Sequence, residues 1–161
     1  MVEAALPNPI KQSQLETGLS PRAPSRGLQI KGPVDIIRAS AQKENPGVSP
    51  DLILKQVALL VQSKKIKLLQ LGNTVFLIYP QPDGVAEIHT FTIEGPQELA
   101  QRYKAGANSL KQMGFKKAVS YATSPAFVRI AQQTGLPVQI KQDLQRIGGK
   151  ARKAYKFEVT L

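Results

Sequence analysis

Cysteine is absent from the 161 residues, which removes disulfides, thiolate metal sites and cysteine nucleophiles together. The single histidine, His89, cannot build a multi-histidine metal site within one chain and gives a serine–histidine couple little support. Most hydrolase and zinc chemistry falls with these absences. Tryptophan is missing too, and aromatic residues make up only 6 %. The longest apolar runs, Val57–Val61 and Val75–Tyr79, are five residues each, against the roughly 20 that a membrane-spanning helix needs. Met1 to Leu15 show neither the charged start nor the long apolar stretch of a secretory leader. The expectation is a protein that is neither secreted nor membrane-embedded.

Negative charge is scarce, and unevenly so. The chain carries 22 Lys and Arg against 11 Asp and Glu, a net +11. Residues 1–32 hold four cations and two acids, residues 33–99 hold six and seven, and residues 100–161 hold twelve and two. Almost the whole excess therefore sits in the last third, with Lys141, Arg146, Lys150, Arg152, Lys153 and Lys156 as candidate polyanion-binding residues. A field this lopsided favours nucleic acid, a phosphorylated cofactor or an acidic protein surface. The plainer alternative is a solvated face that keeps the protein soluble.

Proline marks the organisation of the chain. Five of its twelve prolines (Pro7, Pro9, Pro21, Pro24, Pro33) lie in the first 33 residues, where missing amides and fixed φ angles oppose both helix and strand. The apolar residues between them are scattered singly, so residues 1–32 read as an extended arm, either a disordered tail or a strap ordered by packing on a neighbouring molecule, and the strap is the preferred reading. Residues 33–161 read as one α/β domain, with a helical lead-in over 33–63 and a core over 66–161. In the lead-in, Pro33 opens a helix with Val34, Ile37 and Ala41 at helical spacing, and Asn45-Pro46-Gly47 stops it. Ser49 is the expected N-cap of a second helix, about 50–63, burying Leu52/Ile53, Val57 and Leu60/Val61.

The period then changes. Ile66–Leu71, Thr74–Tyr79 and Val85–Ile93 are β-branched and aromatic, separated by Gly72-Asn73 and by Pro80–Gly84, and predict a three-strand antiparallel meander. Gly95-Pro96 opens a long helix, about 96–113, with a stripe of Leu99, Tyr103, Gly106, Leu110 and Met113, and with Glu98 placed towards the free amides of its first turn. Lys117–Ala122 reads as a strand parallel to the one before the helix. Ser124-Pro125 caps a helix of about 125–134 that Gly135 ends, and Val138–Lys141 and Tyr155–Val159 are two closing strands.

Strands, a long helix, then strand–helix–strand–strand resembles the core of the GNAT superfamily of N-acyltransferases. The resemblance covers about residues 66–161 and implies a mixed sheet of five to seven strands with flanking helices. Its most specific stretch, Ser124–Leu136, is similar to a family segment that begins Asn-Pro, carries a Tyr seven residues on, and ends in Gly-Phe. For an active member the resemblance implies acetyl-CoA as cofactor, near Gly95, Gln97 and Ser124, and a base among Glu87 and His89, which share a strand face with Val85, Phe91 and Ile93. Several positions depart from the family pattern. Ala131 stands in place of the Tyr acid and Ser124 in place of the Asn. Thr92–Gln97 offers one glycine, an acid and an amide-less proline where the family has a glycine-rich pyrophosphate loop. Arg102–Ala107 resembles the loop signature but falls inside the helix. Tyr121 and Tyr155 are substitute acids in principle, while Arg102 and Lys104 read as the solvated side of the helix.

The reading that follows is a non-enzymatic assembly protein with no cofactor and no metal. It resembles small virion components of tailed bacteriophages, docked in many copies to other virion proteins through residues 1–32, with its basic third towards DNA or acidic neighbours. The alternatives are an acyl-CoA-dependent N-acyltransferase and a nucleic-acid-binding module. Deleting residues 1–32 should leave a folded, soluble monomer and abolish assembly, measured by sedimentation; an unfolded truncation would place the arm in the core.

Overall fold

The switch from helical to alternating periodicity near Ile66 is where the sheet begins. The computed structural model describes residues 29–147 and 149–161, so the arm expected over 1–32 lies almost wholly outside the described residues. Lys31–Leu161 forms one unit, in the order α1 (Pro33–Glu44), α2 (Pro50–Gln62), β1 (Lys67–Leu71), β2 (Thr74–Gln81), β3 (Val85–Thr92), α3 (Pro96–Gln112), β4 (Lys117–Ala122), α4 (Ala126–Gln133), β5 (Val138–Ile147) and β6 (Lys150–Thr160). The six strands make one sheet in the order β1-β2-β3-β4-β6-β5. Only β3 and β4 run parallel, joined by the crossover helix α3; the other neighbours are antiparallel.

Helices cover both faces, which is why β2 can be a nearly continuous apolar run. On one face Ile36, Ile37, Val57, Ile66, Val75 and Leu77 form a cluster beneath α1 and α2. On the other, Phe76, Ile78, Ala86, Ile88 and Leu110 pack under α3. Leu99, Ala100 and Ile130 then join α3 to α4. Gly106 lets α3 approach the sheet: a Cβ there would stand 3.3 Å from the ring of Phe76. The glycine of the loop-like signature is thus a packing residue. Its neighbour Tyr103 lies 5.4 Å from Phe76, centroid to centroid, and donates to Thr90 Oγ1 at 2.9 Å.

Several expectations shift in detail. The buried stripe of α1 is Ile36, Ile37, Ser40 and Ala41, while Val34, at the margin of that stripe in the first turn, is 52 % exposed. Leu52 of α2 and Met113 beyond α3 are exposed as well. Ser49 takes the N-cap position without a side-chain bond; its carbonyl receives the Leu52 and Ile53 amides. The closing strands are about twice their expected length, ten and eleven residues instead of four and five, because polar residues extend an antiparallel pair as readily as apolar ones when the backbone ladder is complete.

A polar network pins the end of β3 to its neighbours. Glu94 Oε1 and Oε2 accept from Arg102 Nε and Nη2 at 3.0 Å each, in fork geometry. Thr74 Oγ1, fully buried, also donates to Glu94 Oε1 at 2.7 Å. Thr92 Oγ1 therefore donates to Thr74 Oγ1 and accepts from the Glu94 amide. The Thr92 amide donates to buried Ser40 Oγ of α1 at 3.1 Å. Gly72, at φ +58, is left without a side chain because a Cβ would overlap the Arg102 guanidinium. Arg102 is thus no part of the solvated helix side.

Partial burial pushes the Glu94 carboxyl up. The bonds from Arg102 and Thr74, the Arg102 charge and the Asn73 amide outweigh it, and the group ends below its ordinary value. A carboxyl depressed on folding adds stability above its unfolded pKa and gives it up as pH falls through the folded one. Glu94→Gln should therefore cost roughly 2 kcal/mol at pH 7, read from urea midpoints, and the gap to wild type should shrink as pH drops below about 4.5. A gap unchanged at pH 3 would show that Glu94 is not ionised in the folded protein.

Candidate functional site

Sheet register places the candidate base. Parallel pairing of β3 with β4 runs from Val85↔Lys117 to Ile88↔Ser120 and stops there, although β3 continues to Thr92 and β4 to Ala122. The two strands part in the middle of the sheet, immediately beside Glu87 and His89. These two side chains alternate onto the α1–α2 face with Leu77 and Tyr79, their partners on β2. His89 Nε2 and Glu87 Oε2 are 2.9 Å apart, with the side chains 50 % and 35 % exposed. Solvent reaches both. The His89 ring rests against Tyr79, centroids 4.7 Å apart. Burial, then the Glu87 charge, push the Tyr79 hydroxyl up from its ordinary value. Register puts Val119, Tyr121, Lys156 and Glu158 on the same face. Tyr121 is exposed there, and Glu158 sits between Lys117 and Lys156 at 3.8 and 3.9 Å.

The candidate cofactor residues lie elsewhere. Gly95 is the N-cap of α3 and Pro96 its first residue. The Leu99 amide is used by the Gly95 carbonyl. Of the first-turn donors, only those of Gln97 and Glu98 are left for an anion. Glu98 makes no capping bond; its Oε1 stands 2.9 Å from where a Cβ of Gly95 would be, a negative charge over the helix start. Glu94, the other acid of this turn, is turned inward and neutralised by Arg102. Ser124 Oγ accepts from the Ala126 amide at 3.3 Å and so serves the start of α4.

Between α3 and the end of α4 lies a cleft of 340 Å³ lined by Gln97, Ala100, Gln101, Lys104, Gln133 and Thr134. It brings Gln97 and Lys104 together but not Gly95 or Ser124. The cleft is on the α3–α4 face of the sheet, and Glu87 and His89 are on the other face. Gln97, Gln101 and Lys104 give this cleft two side-chain amides and a cation. Ala131 occupies the place where the resemblance expects the tyrosine acid, and the buried Tyr103 hydroxyl is pushed up to about 12 by desolvation while held by Thr90. Tyr155 is half-buried, 6.5 Å from Phe157. Sequence reasoning missed the Glu94–Arg102 pair; the eight-residue separation across a turn carries no periodic signal.

Lys141, Arg146, Lys150, Arg152, Lys153 and Lys156 all fall on the β5–β6 hairpin, remote in the chain from the cleft. No group of three or more His, Asp or Glu among the described residues could hold a metal ion. No described helix is long and apolar enough to cross a membrane.

No protein-family model matches this chain, and no curated protein matches it in sequence. Solved structures do match in shape. An IAA acetyltransferase from Bacillus cereus superposes with TM-score 0.52 at 15 % identity, covering 80 % of this chain and 92 % of its own. A spermidine N-acetyltransferase SpeG chimera from Vibrio cholerae and hSSAT gives 0.60 at 10 %, covering 79 % and 89 %. A Bacillus subtilis acetyltransferase in complex with CoA gives 0.53 at 13 %, covering 79 % and 92 %. At these identities the likeness is one of fold, and the fold is GNAT-like, as the order of strands and helices implied.

Proposed function

We propose that this chain is an acyl-CoA-dependent N-acyltransferase, with the acceptor amine bound on the α1–α2 face beside the partly exposed Glu87 and His89. The observation that carries this reading is the parting of β3 from β4 after Ile88↔Ser120, next to a hydrogen-bonded carboxylate–imidazole couple. The acetyltransferases that share the fold support it. In this reading Gln97, Gln101 and Lys104 hold the nucleotide, and the bound thioester supplies an activated acyl group. Glu87 orients the His89 ring, and His89 takes the proton that the amine loses as its nitrogen attacks the carbonyl. The thiolate leaves to solvent water rather than to a tyrosine.

A second reading is favoured by the eroded positions: Pro96, the Glu98 carboxylate over the helix start, and Ala131. It is a non-catalytic assembly protein, the virion-component reading, in which the fold is only a scaffold and residues 1–32 dock to a neighbour. Acetyl-CoA titration separates the two. Under the first, 100 µM ligand at a Kd of ~10 µM adds about 1.4 kcal/mol and raises the melting temperature by about 4–6 °C. His89→Gln then keeps this shift but loses roughly 100-fold or more in transfer to polyamine or peptide amines. No shift at millimolar acetyl-CoA leaves the second reading.

A further inference from the structure

The last pair that β6 makes with β4 is Ala122↔Tyr155. Lys150–Ala154, with their β5 partners Asp143–Ile147, leave the sheet as a two-stranded ribbon of five residues a side. At 3.3–3.4 Å per residue it reaches about 17 Å beyond β4. Antiparallel register sorts its charges onto two faces. Within the ribbon Lys150 and Arg152 share one face with Asp143, while Arg146 and Lys153 share the other; Lys141 and Lys156, together with Glu158, continue the first face into the sheet. From Lys141 to Lys156 there are six cations against one acid, Asp143.

The cations at the tip of this ribbon lack a structural explanation. Lys150, Arg152 and Lys153 are exposed and enter no ion pair among the described residues. Leu144 is 66 % exposed at the same tip. A folding role would place such charges near carboxylates; here Lys150 and Arg152 stand two residues apart on one face of an outer ribbon, with Lys153 on the other.

We infer that the β5–β6 ribbon is a docking surface for double-stranded DNA. A two-stranded ribbon has the width that the B-form major groove admits. Same-face cations at i and i+2 are about 6.7 Å apart, close to two steps of the ~3.4 Å rise of each strand. The ribbon carries no aromatic residue between Lys141 and Ala154, so it lacks the stacking platforms that single strands require. The A-form RNA major groove is too narrow for it. An acidic protein surface would call for buried aromatic or branched anchors around the charges, and exposed Leu144 is the one large apolar side chain described there. The contact is with phosphates and groove shape, and it stands apart from acyl transfer.

The test is fluorescence anisotropy of a labelled 20-base-pair duplex with the full chain. About four phosphate contacts predict that affinity falls about 100-fold between 50 and 200 mM salt. Lys150→Gln/Arg152→Gln/Lys153→Gln should lower affinity at 50 mM salt by about 30-fold. Lys43→Gln/Lys55→Gln/Lys65→Gln, an equal charge change on exposed sites elsewhere, should lower it less than about threefold. Unchanged circular dichroism and melting temperature establish that the ribbon variant is folded. The inference is overturned by absence of binding at 50 mM salt, by equal losses in the two triple variants, or by a single-stranded 20-mer or polyglutamate binding as tightly as the duplex.

Discussion

The fork between Arg102 and Glu94 sets how the parts of this domain meet. One guanidinium, lodged over Gly72, holds the β1–β2 turn, the end of β3 and the second turn of α3 in a fixed relation. The pair is partly buried, with the Glu94 side chain only 11 % exposed, so its charges depend on one another and on Thr74 for compensation. Through Thr92 and Ser40 the same network reaches α1. Four elements distant in sequence thus share one chain of hydrogen bonds.

That constraint has a chemical consequence at the start of α3. Turned inward, Glu94 no longer repels an anion there, and the repulsion passes to Glu98 on the outside. The helix start is less hostile to phosphate than its residue types imply, yet Pro96 still withholds one donor. Meanwhile the tie between Thr92 and α1 fixes β3 beyond its last pair with β4. The Ile93 amide bonds back to Asn73 on the β2 side, so the Thr92 amide faces the edge that β4 has left, and Ser40 of α1 takes the place of a strand partner there. Glu87 and His89 sit on the α1–α2 face because the two-residue strand period puts them opposite the face that α3 covers.

Element order, the tight connections and the parallel placement of β4 were legible in the residues, since they rest on local signals: proline at helix starts, glycine at ends, and a period of two between. The Glu87–His89 couple was legible for the same reason, two residues apart on one strand. Arg102 was not, because an arginine on a helix has the same pattern whether it meets water or a carboxylate from a preceding turn. The strand lengths of the hairpin were also hidden. Lys, Arg and Gln at its tip have weak strand preference, and pairing with each other, rather than propensity, extends them.

The sequence by itself determined the excess of positive charge in the last third, the lack of thiol and multi-histidine chemistry, and the succession of helices and strands. Each follows from composition or from neighbours a few residues apart. Tertiary structure alone decided that β6 lies between β4 and β5, that β3 and β4 part at Ile88↔Ser120, and that basic residues spread over sixteen positions share one hairpin. These depend on which backbone groups find partners across long stretches of chain, and hydrogen-bond register is a property of the pair, not of either strand alone.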